Sequence, residues 1–493
     1  MSEIYADLMG FVRETTALGQ ISGLLSWDQE TMMPKGAADQ RGEWSGALES
    51  TVHARKTDPR IGEWLAGLAG VNLNQEQAAN IRHIRRSFER NTKVPVKLAT
   101  EIARVTSVSQ GIWAQARASD DFAAFAPSLK TVLALRRQEA AALSDGGDPY
   151  DALLNDYEPG MTGAYLDRVL GNLRDGLVEL RGRIQGASVA IPKLSMTFDA
   201  DLQMQLAHEL ASAFGYDWTC GRLDKSVHPF SSGSGTDTRI TTRVDPANPF
   251  NCLYSTIHET GHSAYEQAIR PTYLLTPLGH GVSMGVHESQ SRIYENQLGR
   301  SEAFCDFLYG RMRDLFGDFG VPTARDFYRL VNEVGQGYIR TEADEVQYNL
   351  HVLMRFDLER ALISGDLEVD DLEGAWNDRF AADFGFAVDR PSNGVLQDVH
   401  WSVGLFGYFP TYSLGNIYAG GLYDALRLAV PTLDGDLALG NTAKATAWLR
   451  ENVQQYGGLY EPVEVIEKAT GQSVSEKPLL AYLNRKFIDI YAL

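Results

Sequence analysis

Apolar positions recur at helical spacing through most of this chain. Ile4, Leu8, Phe11 and Leu18 open the pattern. Leu166, Leu170, Leu173, Leu177, Leu180 and Ile184 repeat every three or four residues, over about five turns of helix. Thr162 stands where an N-cap would start that helix. Such a leucine stripe suits packing inside a domain or a contact between copies of the chain. Helix breaks fall at Pro34-Lys35-Gly36, Gly146-Gly147-Asp148-Pro149 and Glu158-Pro159-Gly160. The texture changes between Trp218 and Asn251. Thr238–Val244 is β-branched and alternating, which predicts a short strand, and Arg222–Val227 is its expected partner in a small hairpin. Ser231–Gly235 between them reads as a flexible loop. Helical spacing resumes over Phe304–Phe316, Ala324–Val334, Asp344–Ile363 and Leu372–Phe384. Asn393–Asn416 reads as irregular, and Ala443–Gln455, Pro462–Ala469 and Lys477–Tyr491 close the chain as helices. The expectation is a mostly α fold with a small β-hairpin or sheet.

Within the helical stretch that follows the strand lies His258-Glu259-Thr260-Gly261-His262. Residues four apart share a helix face, so both imidazoles can reach one ion. Two neutral imidazoles suit zinc, with a position left open for water. Glu259 points beside the metal, where it can take a proton from that water, the base role this pattern has in metalloproteases. A third ligand must come from elsewhere, because Tyr265 and Ala268 stand where a His-x-x-Gly-x-x-His continuation would need glycine and histidine. Gly279–Val286 is a glycine-punctuated loop, and His287-Glu288-Ser289-Gln290-Ser291-Arg292 follows it. Glu288 is the expected third ligand, carried on a returning helix from Ser289 to Leu298; a solvated helix acid is the plainer reading. His287 is expected to support the ligands rather than bind the ion.

Length and composition narrow the rest. A chain of 493 residues is long enough to bury a deep cleft. Its net charge of −19, with no basic run, disfavours nucleic acid and anionic membrane as partners. No apolar run is long enough to span a bilayer. Cys220, Cys252 and Cys305 are scattered and odd in number, which suggests free thiols in a reducing cytoplasm. The first residues lack the basic start and apolar core of a signal peptide. Cys252, near the histidine pair, is expected to be structural.

Two arginines and an aromatic stretch remain. Arg239 and Arg340 sit among apolar or β-forming residues and need anionic partners. They suit either a clamp on a substrate carboxylate or internal pairs with Asp237, Asp344 or Glu345. Gly394–Trp401 and Gly404–Tyr412 contain His400, Tyr408 and Tyr412, each a possible donor to a developing oxyanion or part of an aromatic cleft wall.

Taken in order, His228-Pro229-Phe230, Asp237–Thr241, His258–His262, His287–Arg292, Ile339–Asp344 and Gly394–Trp401 resemble the motifs of the thermostable carboxypeptidase Taq family. Leu25–Pro34 and Pro149–Leu154 look familial too, so the resemblance covers nearly the whole chain. It implies zinc, replaceable by cobalt, held by His258, His262 and Glu288, with Glu259 as base. It implies removal of C-terminal residues from peptides, broad in scope but poor for proline, with Arg239 and Arg340 in the motifs that recognise the free carboxylate; His228 falls in another. The implied body is two-lobed around a deep groove and forms cytosolic homodimers. The expected organisation is a single domain over 1–493: a helical part over 1–217, the metal-site part over 218–416 and a helical part over 417–493. An oligopeptidase cutting internal bonds, and a peptide-binding protein with a vestigial metal site, are the alternatives.

Overall fold

In the computed structural model, which describes residues 3–493, helices form nearly all the regular structure. Thr162 accepts a hydrogen bond from the Tyr165 amide at 3.3 Å and starts the helix Gly163–Gln185. The leucine stripe of that helix is buried and packs against the helices Glu345–Ser364 and Lys477–Tyr491. It is therefore core. One apolar cluster runs from Ala79 to Tyr491, drawing on every part of the chain beyond the first helices. A second, smaller cluster joins Tyr5 and Leu8 to Ile61, Leu65, Leu68, Ile81 and Ile84.

The three strands are β1 (Gly221–Lys225), β2 (Ser231–Ser234) and β3 (Asp237–Thr242), in spatial order β1-β3-β2. The expected hairpin partner is corrected here. β1 runs parallel to β3, with Leu223 opposite Ile240, and so cannot be joined to it by a tight turn. The hairpin is β2–β3, with Ser231 opposite Ile240, and it uses the stretch expected to be a flexible loop. Gly233 has φ +90°, and a Cβ there would lie 1.9 Å from the Asp237 carbonyl oxygen. Its composition serves a tight approach, not mobility. β3 ends at Thr242, two residues early, where the Thr242 hydroxyl donates to the Cys252 carbonyl at 2.9 Å and ties the sheet to the next helix.

That helix, Phe250–Ala268, lies against β2 and β3 on one side and against the helix Met284–Arg292 on the other. Met284–Arg292 starts within the expected glycine loop, because Ser283 caps it by accepting from the Val286 amide at 3.1 Å. Beyond Arg292 the chain widens into π-turns over Ile293–Gly299. Its other face meets the helix Pro410–Ala429, which begins inside the stretch expected to be irregular; Pro410 at the first turn has the φ a helix start needs. Ala324–Val331 and Ala443–Asn452 end a few residues earlier than their apolar spacing implies.

Two glycines let these helices approach. A Cβ on Gly261 would lie 2.5 Å from the Gln290 carbonyl oxygen, and one on Gly415 would lie 2.5 Å from Cγ of Glu288. A groove of about 1440 Å³ opens between the helices Glu3–Thr31 and Gln75–Lys93 on one side and Leu143–Thr162, the tip of β2 and the His280–Val282 segment on the other. Among the described residues, no helix is long and apolar enough to cross a membrane.

Gly415→Ala is expected to destabilise the fold by about 1–3 kcal/mol, because the neighbouring backbone would have to shift. Gly421→Ala on the same helix meets only Thr470 Cγ2 at 3.6 Å and is expected to be neutral or stabilising by up to about 1 kcal/mol. Thermal unfolding of the two variants beside the parent checks both.

Candidate metal centre

His258 and His262 lie one turn apart on Phe250–Ala268, and Glu288 faces them from Met284–Arg292. One donor atom from each of the three lies within 4.8 Å of the others. Glu288 Oε2 is 3.7 Å from His258 Nε2 and 3.4 Å from His262 Nε2. A tetrahedral ion with bonds of about 2.0–2.2 Å separates its ligands by roughly 3.3–3.6 Å, so the spacing fits a zinc-sized cation. The donor set fits as well, since the second nitrogen of each ring is already engaged. His258 Nδ1 lies 2.9 Å from Glu295 Oε2, and His262 Nδ1 lies 2.7 Å from His287 Nδ1. His287 Nε2 in turn sits 3.0 Å from Glu266 Oε1. With Glu266 accepting from His287 Nε2–H, the His287 Nδ1 lone pair accepts from His262 Nδ1–H. Both Nε2 lone pairs are left facing Glu288, the orientation that outer partners impose on metal-binding histidines.

Burial holds the His262 imidazole down to about 4, so the ring is neutral. Burial opposes charge on Glu295, yet the His258 hydrogen bond and Arg292 and Arg300 bring its carboxyl down to about 2. Burial likewise opposes charge on Glu288, and Arg292 with the two histidines overcomes it, leaving that carboxyl well below the usual range. Arg292 Nε donates to Glu288 Oε1 at 2.6 Å, and the Ser291 hydroxyl donates to Oε2 at 3.0 Å. One oxygen is thus held by arginine while the other faces the histidines. Glu259 is buried beside this group, and burial pushes its carboxyl up to about 7; His258 pulls it down, and Glu288 and Glu295 push it up. A carboxyl near neutrality is suited to accept and return a proton.

A second charged cluster adjoins the first through Tyr348, whose ring lies under Arg292 at 4.2 Å and whose hydroxyl accepts from Arg340 Nη1 at 3.2 Å. Arg340 is buried, and its acidic partner is Asp398, not the expected Asp344 or Glu345. Asp344 caps the helix Glu345–Ser364, and Glu345 pairs with Lys486. Asp398 also holds Arg355 at 2.6 Å. Tyr412 lies 4.8 Å from the Arg340 guanidinium, and its hydroxyl is 3.3 Å from His400 Nε2. Burial brings the His400 ring down to about 4. Tyr408 packs edge-on against Tyr412 and Tyr157, at 5.3 and 5.0 Å.

The other expected residues lie apart from these clusters. Arg239 makes a two-point pair with Asp237 at 2.7 and 3.0 Å and stacks on Trp27 of the first helix at 4.2 Å. His228 is exposed on the connection between β1 and β2. Cys252 is buried with Sγ 3.9 Å from the Gln203 carbonyl. Glu266, Glu295, Asp398 and Arg355 were not singled out from sequence. The first two carry a readable signal: Glu266 continues the 258–262 face by four residues, and Glu295 follows Glu288 by seven.

Comparison with known proteins identifies the family. The family model described as carboxypeptidase Taq (M32) metallopeptidase matches residues 7–487. The chain is 41% identical to thermostable carboxypeptidase 1 of Thermus thermophilus, over 99% of both chains. The crystal structure of the M32 carboxypeptidase from Deinococcus radiodurans R1 superposes with a TM-score of 0.96 at 38% identity, covering 100% of each chain. Trypanosoma cruzi metallocarboxypeptidase 1 does so with a TM-score of 0.95 at 35% identity, over 98% of this chain and 99% of that one. Matched along its whole length in sequence and in fold, the chain belongs to the carboxypeptidase Taq (M32) family of metallopeptidases.

Proposed function

We propose that the protein is a zinc-dependent carboxypeptidase that removes single residues from the free C-terminus of peptides, with His258, His262 and Glu288 as ligands and Glu259 as base. Cobalt substitutes for zinc in this reading, and terminal residues other than proline are accepted broadly, as the family resemblance implies. The observation that carries it is the meeting of two sites: a three-donor cluster of zinc dimensions, and a buried arginine whose charge is not fully spent.

When bound, zinc supplies a Lewis acid and lowers the pKa of water to about 7. The chain's own residues do the rest. Glu259 takes a proton from the attacking water and passes it to the departing amine. Arg340 holds the terminal carboxylate. Asp398 is shared between Arg340 and Arg355, so the group of three keeps one net positive charge, enough to attract a second carboxylate. Arg239, already matched by Asp237 at two points, serves as a wall and an anchor for the first helix. Tyr408 and Tyr412 donate to the oxygen of the cleaved carbonyl, and His400 orients the Tyr412 hydroxyl. His228, exposed on its loop, takes a peripheral part in holding substrate.

Glu259→Gln is expected to keep zinc and to lower kcat/KM by about 10²–10⁴; metal analysis and kinetics on one preparation separate the two effects. Glu295→Gln and His287→Ala, at residues that meet the histidine ligands only through their outer nitrogens, are expected to weaken zinc by about 10–100-fold in competition with a chelator. A peptide amidated at its C-terminus should resist cleavage while its free-acid twin loses residues stepwise. Equal turnover of the two would show that the terminal carboxylate is not what is recognised.

A further inference from the structure

The groove carries a charge opposite to that of the chain. The whole sequence has a net charge of −19, yet the helix Gln75–Lys93 that walls the groove has Arg82, Arg85, Arg86, Arg90 and Lys93 against Glu76 and Glu89. These charges are only partly matched. Arg82 and Arg86 share the single carboxylate of Glu461, at 2.8 and 2.7 Å. Arg85 is exposed and has no ion pair among the described residues, and the same holds for Lys56 on the adjoining helix. Arg90 is matched by Asp156 and Glu139, and Lys93 by Asp145. Asp148 and Asp151 on the opposite wall accept from the Tyr150 and Gly163 amides, and the lining still carries more basic than acidic side chains.

Two segments join this groove to the candidate metal centre. Along β2, Ser234 lines the groove, and Ser231, three residues away, meets Ser263 beside His262 at 2.9 Å. On the other side His280 lines the groove, with Nδ1 3.8 Å from Glu266 Oε2, the carboxylate that holds His287. Three residues of extended chain span about 10 Å. A peptide whose C-terminus lies at the metal therefore enters the groove that the basic helix walls about four residues upstream.

We propose that this wall reads acidic side chains about four to seven residues before the C-terminus, so that the favoured substrates are peptides with Asp or Glu there. The inference rests on the carboxypeptidase reading above and concerns a part of the groove that the cleaved bond does not touch. Exposed pairs are individually weak and are screened by salt, so the preference is modest and vanishes at high ionic strength.

The test uses zinc-loaded enzyme and octapeptides with one common C-terminal residue. The fourth to seventh positions from the end carry alanine, glutamate or lysine, and a blocked dipeptide too short to reach the wall is assayed beside them. The expected order in kcat/KM is glutamate, alanine, lysine, with a glutamate-to-lysine ratio of about three to tenfold at low salt that falls towards one in about 1 M NaCl. Lys56→Glu with Arg85→Glu, both at exposed and unpaired positions, should invert the ratio. Cleavage of the blocked dipeptide with no ranking among the octapeptides, or with a ranking that salt leaves unchanged, overturns the inference alone. A dipeptide and octapeptides that all remain intact overturn the carboxypeptidase reading and the inference with it.

Discussion

A carboxylate buried between helices must be compensated, and the burial of Glu288 is the constraint from which the rest of the site follows. The cost of taking such a charge out of water is several kcal/mol, repaid only by close partners. Glu288 has Arg292 on one oxygen, Ser291 and the two imidazoles on the other, and no room to retreat, since Gly415 brings the neighbouring helix against its side chain. The three donors together could hold a cation. The same feature explains why the histidine helix has glycine at position 261: the helix bearing Glu288 must come within backbone contact for the carboxylate to reach both rings.

Charge then alternates outward. Glu295 meets His258 and Arg300, Arg292 bridges Glu288 and Glu295, and Tyr348 separates this group from Arg340, Asp398 and Arg355. Each ion of these two groups has a neighbour of opposite sign, as burial requires. The sequence of signs differs between the two arginines first considered as clamps. Arg340 shares its acid with a second arginine, whereas Arg239 has an acid to itself. The difference is one of stoichiometry, and the choice of Arg340 over Arg239 in the proposed function rests on it.

How far all this could be read from sequence depends on the range of the interaction. Helix positions, the Thr162 cap and the leucine stripe are local, and spacing showed them. The meeting of His258, His262 and Glu288 was legible because two of them lie one helical turn apart and the third had a bounded distance to come from. The pairing of β1 with β3 was not legible, because a parallel pair is a long-range contact and the serine–glycine stretch between them imitates a linker. The Asp398 partnership was likewise hidden: Asp344 and Glu345 are nearer to Arg340 along the chain, but they are used by a helix cap and by Lys486. The start of the helix at Pro410 was obscured by the glycines and aromatics before it.

The two apolar clusters differ greatly in extent, and the groove is shared between them. The smaller one is made by the first helices and by Ile81 and Ile84, which are also the underside of the basic wall. His258, His262 and Glu288 belong to helices rooted in the larger one. Regions with fewer buried contacts open at lower free-energy cost than those embedded in a main core. Compliance is thus distributed unequally around the groove: the side rooted in the larger cluster is the stiffer, and the side built from the first helices is the softer. On the carboxypeptidase reading proposed above, that softer side is where peptides of differing bulk are accommodated while Glu259 and its neighbours stay in place.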